Sequence, residues 1–222
     1  MRDMLRVMRE SIAVVDCPIV LFSTGKDSIV TLDIINQYFK NYKIIYMFFV
    51  KNLSFVDKIL DYYSKKYNKE IIQIPHFTTL NTIGKGIFDF KKNNESFLKL
   101  SDMEKHIRKI TECEWLVSGE KKMDSLPRRI MIKHEGDGVD LKHKKIYPIA
   151  DWTENDVMKY IKIKKLPLPI NYQFGFRNID SLQKNSLLWI KNNFYEDYLK
   201  IKEVFPLIDT LLLEEDSENR KY

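Results

Sequence analysis

The chain has 222 residues, 44% of them hydrophobic and 31% charged, so it can bury a full core, and its length fits one domain with an appendage better than two equal domains. No window reaches the roughly 18 to 20 apolar residues that a membrane span needs, and Met1 to Glu10 alternates charge with apolar side chains instead of building a signal-peptide core; a cytoplasmic protein without a membrane partner is expected. The net charge of +6 suits an anionic small ligand or a nucleic acid, and charge alone does not choose between them.

In chain order, Met4, Leu5, Met8, Ile12 and Val15 recur at helical spacing and predict an amphipathic helix before the first strand. Ile19 to Phe22 is an apolar strand. It delivers the chain to Ser23, Thr24 and Gly25, after which Asp27 and the apolar run from Ile29 to Ile35 open a helix. A tight turn feeding a helix N-terminus is an anion site, because the first N–H groups of the helix have no partner within it. Here Ser23, Thr24 and Ser28 add hydroxyls, Lys26 adds a positive charge, and Gly25 is free to approach a ligand closely or to take φ > 0. The spacing is not that of a Walker A loop: Val20 stands five residues before Gly25, and Asp27 follows Lys26.

Lys43 to Val50 reads as a second strand buried on both faces, Phe55 to Tyr63 as a helix, and Glu70 to Ile74 as a third strand. Periodicity then fades from His76 to Lys99, a long excursion of the kind that covers or completes a site. Ser101 and Glu104 spell a capping box for a helix reaching Cys113, followed by a fourth strand at Glu114 to Ser118. Gly119 to Arg129 (G-E-K-K-M-D-S-L-P-R-R) gathers cations and hydroxyls just past a strand's carboxyl end, where doubly wound sheets bind ligands. His134 to Lys145 is a polar loop, Ile146 to Ile149 a short strand, and Thr153 the cap of a helix. Two more helices are expected between Ser181 and Leu213.

The two cysteines, Cys17 and Cys113, have no C-x-x-C partner and are expected to be buried thiols with no disulfide. The four histidines lack metal-ligand spacing, so no metal site is expected. Alternating strands and helices predict an α/β fold: a doubly wound, mostly parallel sheet with helices on both faces and a C-terminal helical appendage.

Three stretches carry a family resemblance. S-T-G-K-D-S at Ser23 to Ser28 resembles the S-x-G-K/G-D-S pyrophosphate loop of the adenine nucleotide alpha hydrolase-like (PP-loop) superfamily. Gly119 to Arg129 resembles the G-x-R-x-x-D/E-S-x-x-R segment of phosphoadenosine phosphosulfate (PAPS) reductases and ATP sulfurylase small subunits. Tyr147 to Ile161 (Y-P-I-A-D-W-T-E-N-D-V-M-K-Y-I) is similar to the P-I/L-x-D/N-W-T-x-x-D-V/I-x-x-Y-I stretch of the same group. The resemblance implies a nucleotide-binding domain over residues 1–172 and a helical extension over 173–222.

The resemblance also implies roles. Ser23, Thr24, Gly25, Lys26, Asp27 and Ser28 would hold the phosphates of ATP, adenylylsulfate or PAPS. Lys121 and Lys122, with Gly119 beside them, would neutralise the attached anion, and Asp124 and Ser125 would shape that loop. Lys26, Arg128 and Arg129 would be catalytic, stabilising charge during reaction at the phosphates. Magnesium could accompany ATP on its phosphate oxygens.

Departures from the pattern limit the chemistry. Val50-Lys51-Asn52 stands where many relatives carry D-T-G. No cysteine follows Cys113, so the E-C-G-I/L-H segment of thioredoxin-dependent reductases is absent, and so are the cysteine pairs that hold an iron-sulfur cluster. The expected function is adenylation, pyrophosphate release or sulfur activation on an unidentified acceptor. The alternatives are a nucleotide-sensing module without turnover and a tRNA- or DNA-modifying PP-loop ATPase.

Overall fold

The computed structural model describes residues 2–85, 98–174 and 183–213. Six strands form one sheet in the order β3-β2-β1-β4-β6-β5. They are β1 (Pro18–Leu21), β2 (Lys43–Phe48), β3 (Ile71–Pro75), β4 (Trp115–Val117), β5 (Val139–Asp140) and β6 (Lys145–Ile146). β1 pairs in parallel with β2 and β4, and β4 in parallel with β6; β5 joins β6 antiparallel. The expected α/β architecture with a mostly parallel sheet is therefore present.

The helices that precede and follow these strands are α1 (Arg2–Ile12), α2 (Lys26–Tyr38), α3 (Ser54–Tyr67), α4 (Phe77–Lys85), α5 (Leu100–Thr111), α6 (Leu126–His134) and α7 (Glu154–Lys164). After α7 come a 3-10 helix (Ile170–Phe174), α8 (Lys184–Asn193), α9 (Tyr195–Val204) and the single turn α10 (Thr210–Leu213). The described residues fall within two compact units. One lies within Met1–Met47, Tyr62–Ile74 and Lys99–Leu168, the other within Phe48–Asp61, Pro75–Leu98 and Pro169–Tyr222.

In the first unit α2 is buried continuously from Ser28 to Ile35, as expected of a helix whose apolar residues run all round it. Its Ile29, Val30, Leu32 and Ile35 are fully buried, like Ile19 and Val20 of β1. Each such side chain contributes about 1.5–3 kcal/mol of burial. The one acid in this stretch, Asp33, is 7% exposed. It accepts hydrogen bonds from Tyr67 of α3 (2.6 Å), Tyr160 of α7 (2.8 Å) and Gln37 (2.8 Å). These three donors meet the demand of a buried carboxylate and fix the rotation of α2 about its axis. In the second unit Asp197 of α9, 1% exposed, accepts from the backbone N–H and hydroxyl of Ser54, both at 2.7 Å, and so caps α3.

Several expectations need correction. The sulfurs of Cys17 and Cys113 are in disulfide contact, with Cα atoms 5.8 Å apart, because the parallel pairing of Pro18 with Trp115 brings the residues just before β1 and β4 together. The capping acid of α5 is Asp102, which accepts from the backbone N–H of Lys99 at 3.0 Å; Ser101 lies inside the helix. The stretch after His76 is helical through Lys85, and residues 86–97 of the expected excursion lie outside the described residues. The polar loop before β6 contains the edge strand β5. C-terminal helices number three among the described residues, not two.

Candidate functional site

The carboxyl ends of β1 and β4 lead into the two motif-bearing loops. After β1, Phe22 still donates to the carbonyl of Ile45 at 2.8 Å, and the chain then turns sharply. The left-handed residue of this turn is Thr24, at φ 61°, while Gly25 is extended at φ −69° and ψ 157°. The expected freedom of Gly25 is thus not used for a positive φ. A β-branched residue in the left-handed region is strained by about 1–3 kcal/mol, and such strain gathers at functional sites. Gly25 is the N-cap of α2 and supplies no side-chain cap, so the first-turn N–H groups of the helix face the loop without one. Ser28 donates to the carbonyl of Gly25 at 2.9 Å, and Ser23 donates to Ser28 at 3.2 Å. The two hydroxyls therefore sit at the mouth of the helix.

Gly119, the first residue of the second motif, packs against the opening of α2. A Cβ there would stand 3.0 Å from the backbone carbon and oxygen of Asp27 and 3.1 Å from the hydroxyl of Thr31. Across this close approach runs a chain of alternating charges. Lys26 reaches one oxygen of Asp27 at 2.7 Å, Lys121 reaches the other at 2.7 Å, and Lys121 also reaches Asp124 at 2.9 Å. Arg128 continues the series to Asp124 at 3.5 Å and Glu120 at 3.2 Å.

The side chain of Lys121 is 4% exposed. Burial alone would push its pKa down, yet the bonds to Asp27 and Asp124 outweigh that and hold it above its ordinary 10.5. Asp124 is likewise pushed up by burial but held below 3.8 by Lys121. Asp27 and Asp124 are thus both engaged by lysines.

Lys122 turns to the other side. Its ammonium pairs with Asp151 at 2.7 Å and with Asp137, and its N–H donates to the carbonyl of Ala150 at 2.8 Å. Burial lowers its pKa, and the two carboxylates raise it above 10.5 overall. Ser125 caps α6 by accepting from the N–H of Arg128 at 3.3 Å. Arg129 donates to the carbonyl of Lys122 at 3.3 Å, and no carboxylate among the described residues pairs with its exposed guanidinium.

The third motif braces both loops. Thr153 caps α7 and trades hydrogen bonds with Asp156, as expected. Trp152, 4% exposed, lies against Tyr160, whose hydroxyl holds Asp33 of α2. The residues that residue-type reasoning missed are Asp137, Asp151, Asp33, Glu120 and Tyr160. Glu120 stands inside the second motif and Asp151 and Tyr160 inside the third, so the motif letters were the available signal for these three. His76, just after β3, stacks on Phe49 with ring centroids 4.4 Å apart, and burial lowers its pKa.

Residues 17–187 match the model of the phosphoadenosine phosphosulfate reductase domain. An uncharacterized protein of Methanocaldococcus jannaschii is 23% identical over 192 residues, covering 83% of this chain; the chain spans 44% of that relative's length. Among solved structures, the PAPS reductase of Candida auris in its phosphate complex superposes with a TM-score of 0.55 at 14% identity, over 79% of this chain and 86% of that one. The NH3-dependent NAD synthetase of Campylobacter jejuni, in complex with nitrate, gives 0.51 at 12% identity over 100% and 94% of the two chains. The tRNA thiolase of Methanococcus maripaludis with its 4Fe-4S cluster gives 0.50 at 19% identity over 94% and 78%. At these identities the structural likeness concerns the fold. None of the helices among the described residues is long and apolar enough to cross a membrane.

Proposed function

Because the chain belongs to the phosphoadenosine phosphosulfate reductase domain family and shares the PP-loop adenine nucleotide alpha hydrolase fold, we propose that it is an enzyme acting at the phosphates of ATP or a sulfonucleotide. The observation that carries this reading is the opening of α2: an uncapped helix N-terminus behind a strained Thr24, with the hydroxyls of Ser23 and Ser28 at its mouth. The helix N–H groups are donors to a phosphate chain, the helix end favours negative charge, and the two hydroxyls would turn their protons from Gly25 and from each other toward a bound phosphate.

In this reading Lys26 and Arg129 supply the positive charge that a phosphate gains. Lys121 and Lys122 act instead as positioning residues, since each is already matched by two carboxylates. With ATP, attack by an acceptor at the α-phosphate expels pyrophosphate and forms an adenylylated product. Holding the phosphates in line and spreading their charge over fixed donors suffices for this, without a protein nucleophile.

Calorimetry with ATP, AMP, adenylylsulfate and PAPS tests the reading. ATP or a sulfonucleotide is expected to bind more tightly than AMP. Lys26→Ala and Arg129→Ala are each expected to weaken it by about 10- to 100-fold, the equivalent of one charge-assisted hydrogen bond of roughly 1.5–3 kcal/mol. Unchanged affinity in both variants would sink the assignment. Pyrophosphate release in the presence of candidate acceptors separates turnover from nucleotide sensing.

A further inference from the structure

We propose that Glu135, Asp140 and His143 form a binding site for a divalent first-row transition ion, separate from the nucleotide loops. One atom of each side chain lies within 4.8 Å of the corresponding atoms of the other two. Glu135 is the C-cap of α6, Asp140 belongs to β5, and His143 stands in the turn between β5 and β6. The Nδ1 of His143 is 2.6 Å from Oδ2 of Asp140 and 3.7 Å from Oε1 of Glu135.

The second oxygen of each carboxylate is held elsewhere. Oδ1 of Asp140 accepts the backbone N–H of His143 at 3.0 Å, and Oε2 of Glu135 accepts the hydroxyl of Tyr147 at 3.3 Å. Arg108 fixes the turn itself by donating to the carbonyl of His143 at 2.8 Å. Outer hydrogen bonds of this kind orient metal ligands, and here they leave one oxygen of each acid aimed at the same imidazole nitrogen.

Charge supplies an independent argument. The side chain of Asp140 is 3% exposed and that of Glu135 21%. Among the described residues no lysine or arginine pairs with either, although the chain carries a surplus of +6 and pairs the acids of its nucleotide loops with lysines. Even a protonated His143 would offset only one of the two negative charges, whereas a divalent ion on a neutral imidazole offsets both. Mixed imidazole and carboxylate donors suit Zn²⁺ and its first-row neighbours, while Mg²⁺ and Ca²⁺ take oxygen ligands. Three protein ligands leave a fourth position for water. The ligands are five and three residues apart in sequence, and the five-residue interval from Glu135 to Asp140 fits no helical or C-x-x-C spacing. A bound ion would tie the end of α6 to the β5–β6 hairpin, and Asp137, two residues past Glu135, carries that tie to Lys122.

Titration of Zn²⁺ into the untagged, chelator-treated full chain is expected to show one equivalent bound, and Co²⁺ is expected to develop visible absorption in the same stoichiometry. His143→Ala and Asp140→Asn should each weaken binding by about tenfold or more, with helix content by circular dichroism unchanged. Should either variant fail to fold, Glu135→Gln, at a partly exposed position and nearly isosteric, must show the same loss. The cysteines and the other three histidines remain in every variant, so binding that persists unaltered in all of them belongs to those residues and overturns the proposal. So does a wild-type chain that takes up neither ion.

Discussion

Lys121→Met is expected to destabilise the chain by about 1–3 kcal/mol at neutral pH, because it removes the cation shared by two carboxylates while keeping the length of the side chain. Asp27 would then keep only Lys26, and Asp124 only Arg128, at positions where their side chains are 27% and 23% exposed. The pH profile identifies the cause. The folded pKa of Lys121 lies above its ordinary 10.5, so its contribution is complete below that value and disappears as pH rises through the folded one. The folded pKa of Asp124 lies below 3.8, so its contribution is complete above 3.8 and disappears as pH falls through the folded value. The stability gap between wild type and variant, read from urea unfolding at a series of pH values, should therefore be flat across the neutral range and narrow at both extremes. A gap under 1 kcal/mol at pH 7 would show that the three groups are solvated like an ordinary surface pair.

Gly119→Ala should cost about 1–3 kcal/mol in stability and weaken nucleotide binding as well. The added carbon would stand 3.0 Å from the backbone of Asp27, inside the first turn of α2, and a backbone cannot rotate out of the way as a side-chain tip can. Relief requires moving either the loop after β4 or the N-terminus of α2, and both carry the proposed phosphate donors. The effect is one of space, not of backbone dihedral, so Gly119→Ser should be worse than Gly119→Ala. Thermal unfolding followed by ATP titration of the folded variant measures the two losses separately. An alanine variant with wild-type melting and wild-type affinity would mean that the loops are not in register.

Much of the fold was legible because its signals are local. The apolar run before Ser23, the small and hydroxyl residues of the turn and the acids opening α7 are each set by neighbours in sequence. The site was legible at the level of segments, not of charge balance. Lys121 and Lys122 were read as cations awaiting an anion. Yet the acids that match Lys121, Asp27 and Asp124, stand in the same two motifs, so pairing like against unlike within the motifs would have exposed the neutralised network. Asp137 and Asp151 were beyond such reasoning, because only the folded sheet brings them to Lys122. The same holds for Asp33 with Tyr67 and Tyr160, and for Cys17 with Cys113, whose proximity follows from a strand pairing that no local pattern encodes. The left-handed residue of the first loop was missed for another reason: steric preference points to Gly25, whereas the turn places its strain on Thr24.

The parallel pairing of β1 with β4 also bears on how the molecule comes into being. Cys17, the residue before β1, and Cys113, two residues before β4, are 96 positions apart. Closing a segment of that length costs about 4 kcal/mol in chain entropy before any contact rewards it. Distant pairings of this sort slow folding relative to local ones. On the ribosome, at about 5–20 residues per second, the loop of Ser23 to Ser28 waits roughly 5–20 s for its complement at Gly119 to be synthesised. The nascent chain thus carries one half of the proposed nucleotide site long before the other exists, and the two halves are brought together only by the central strand pairing of the sheet.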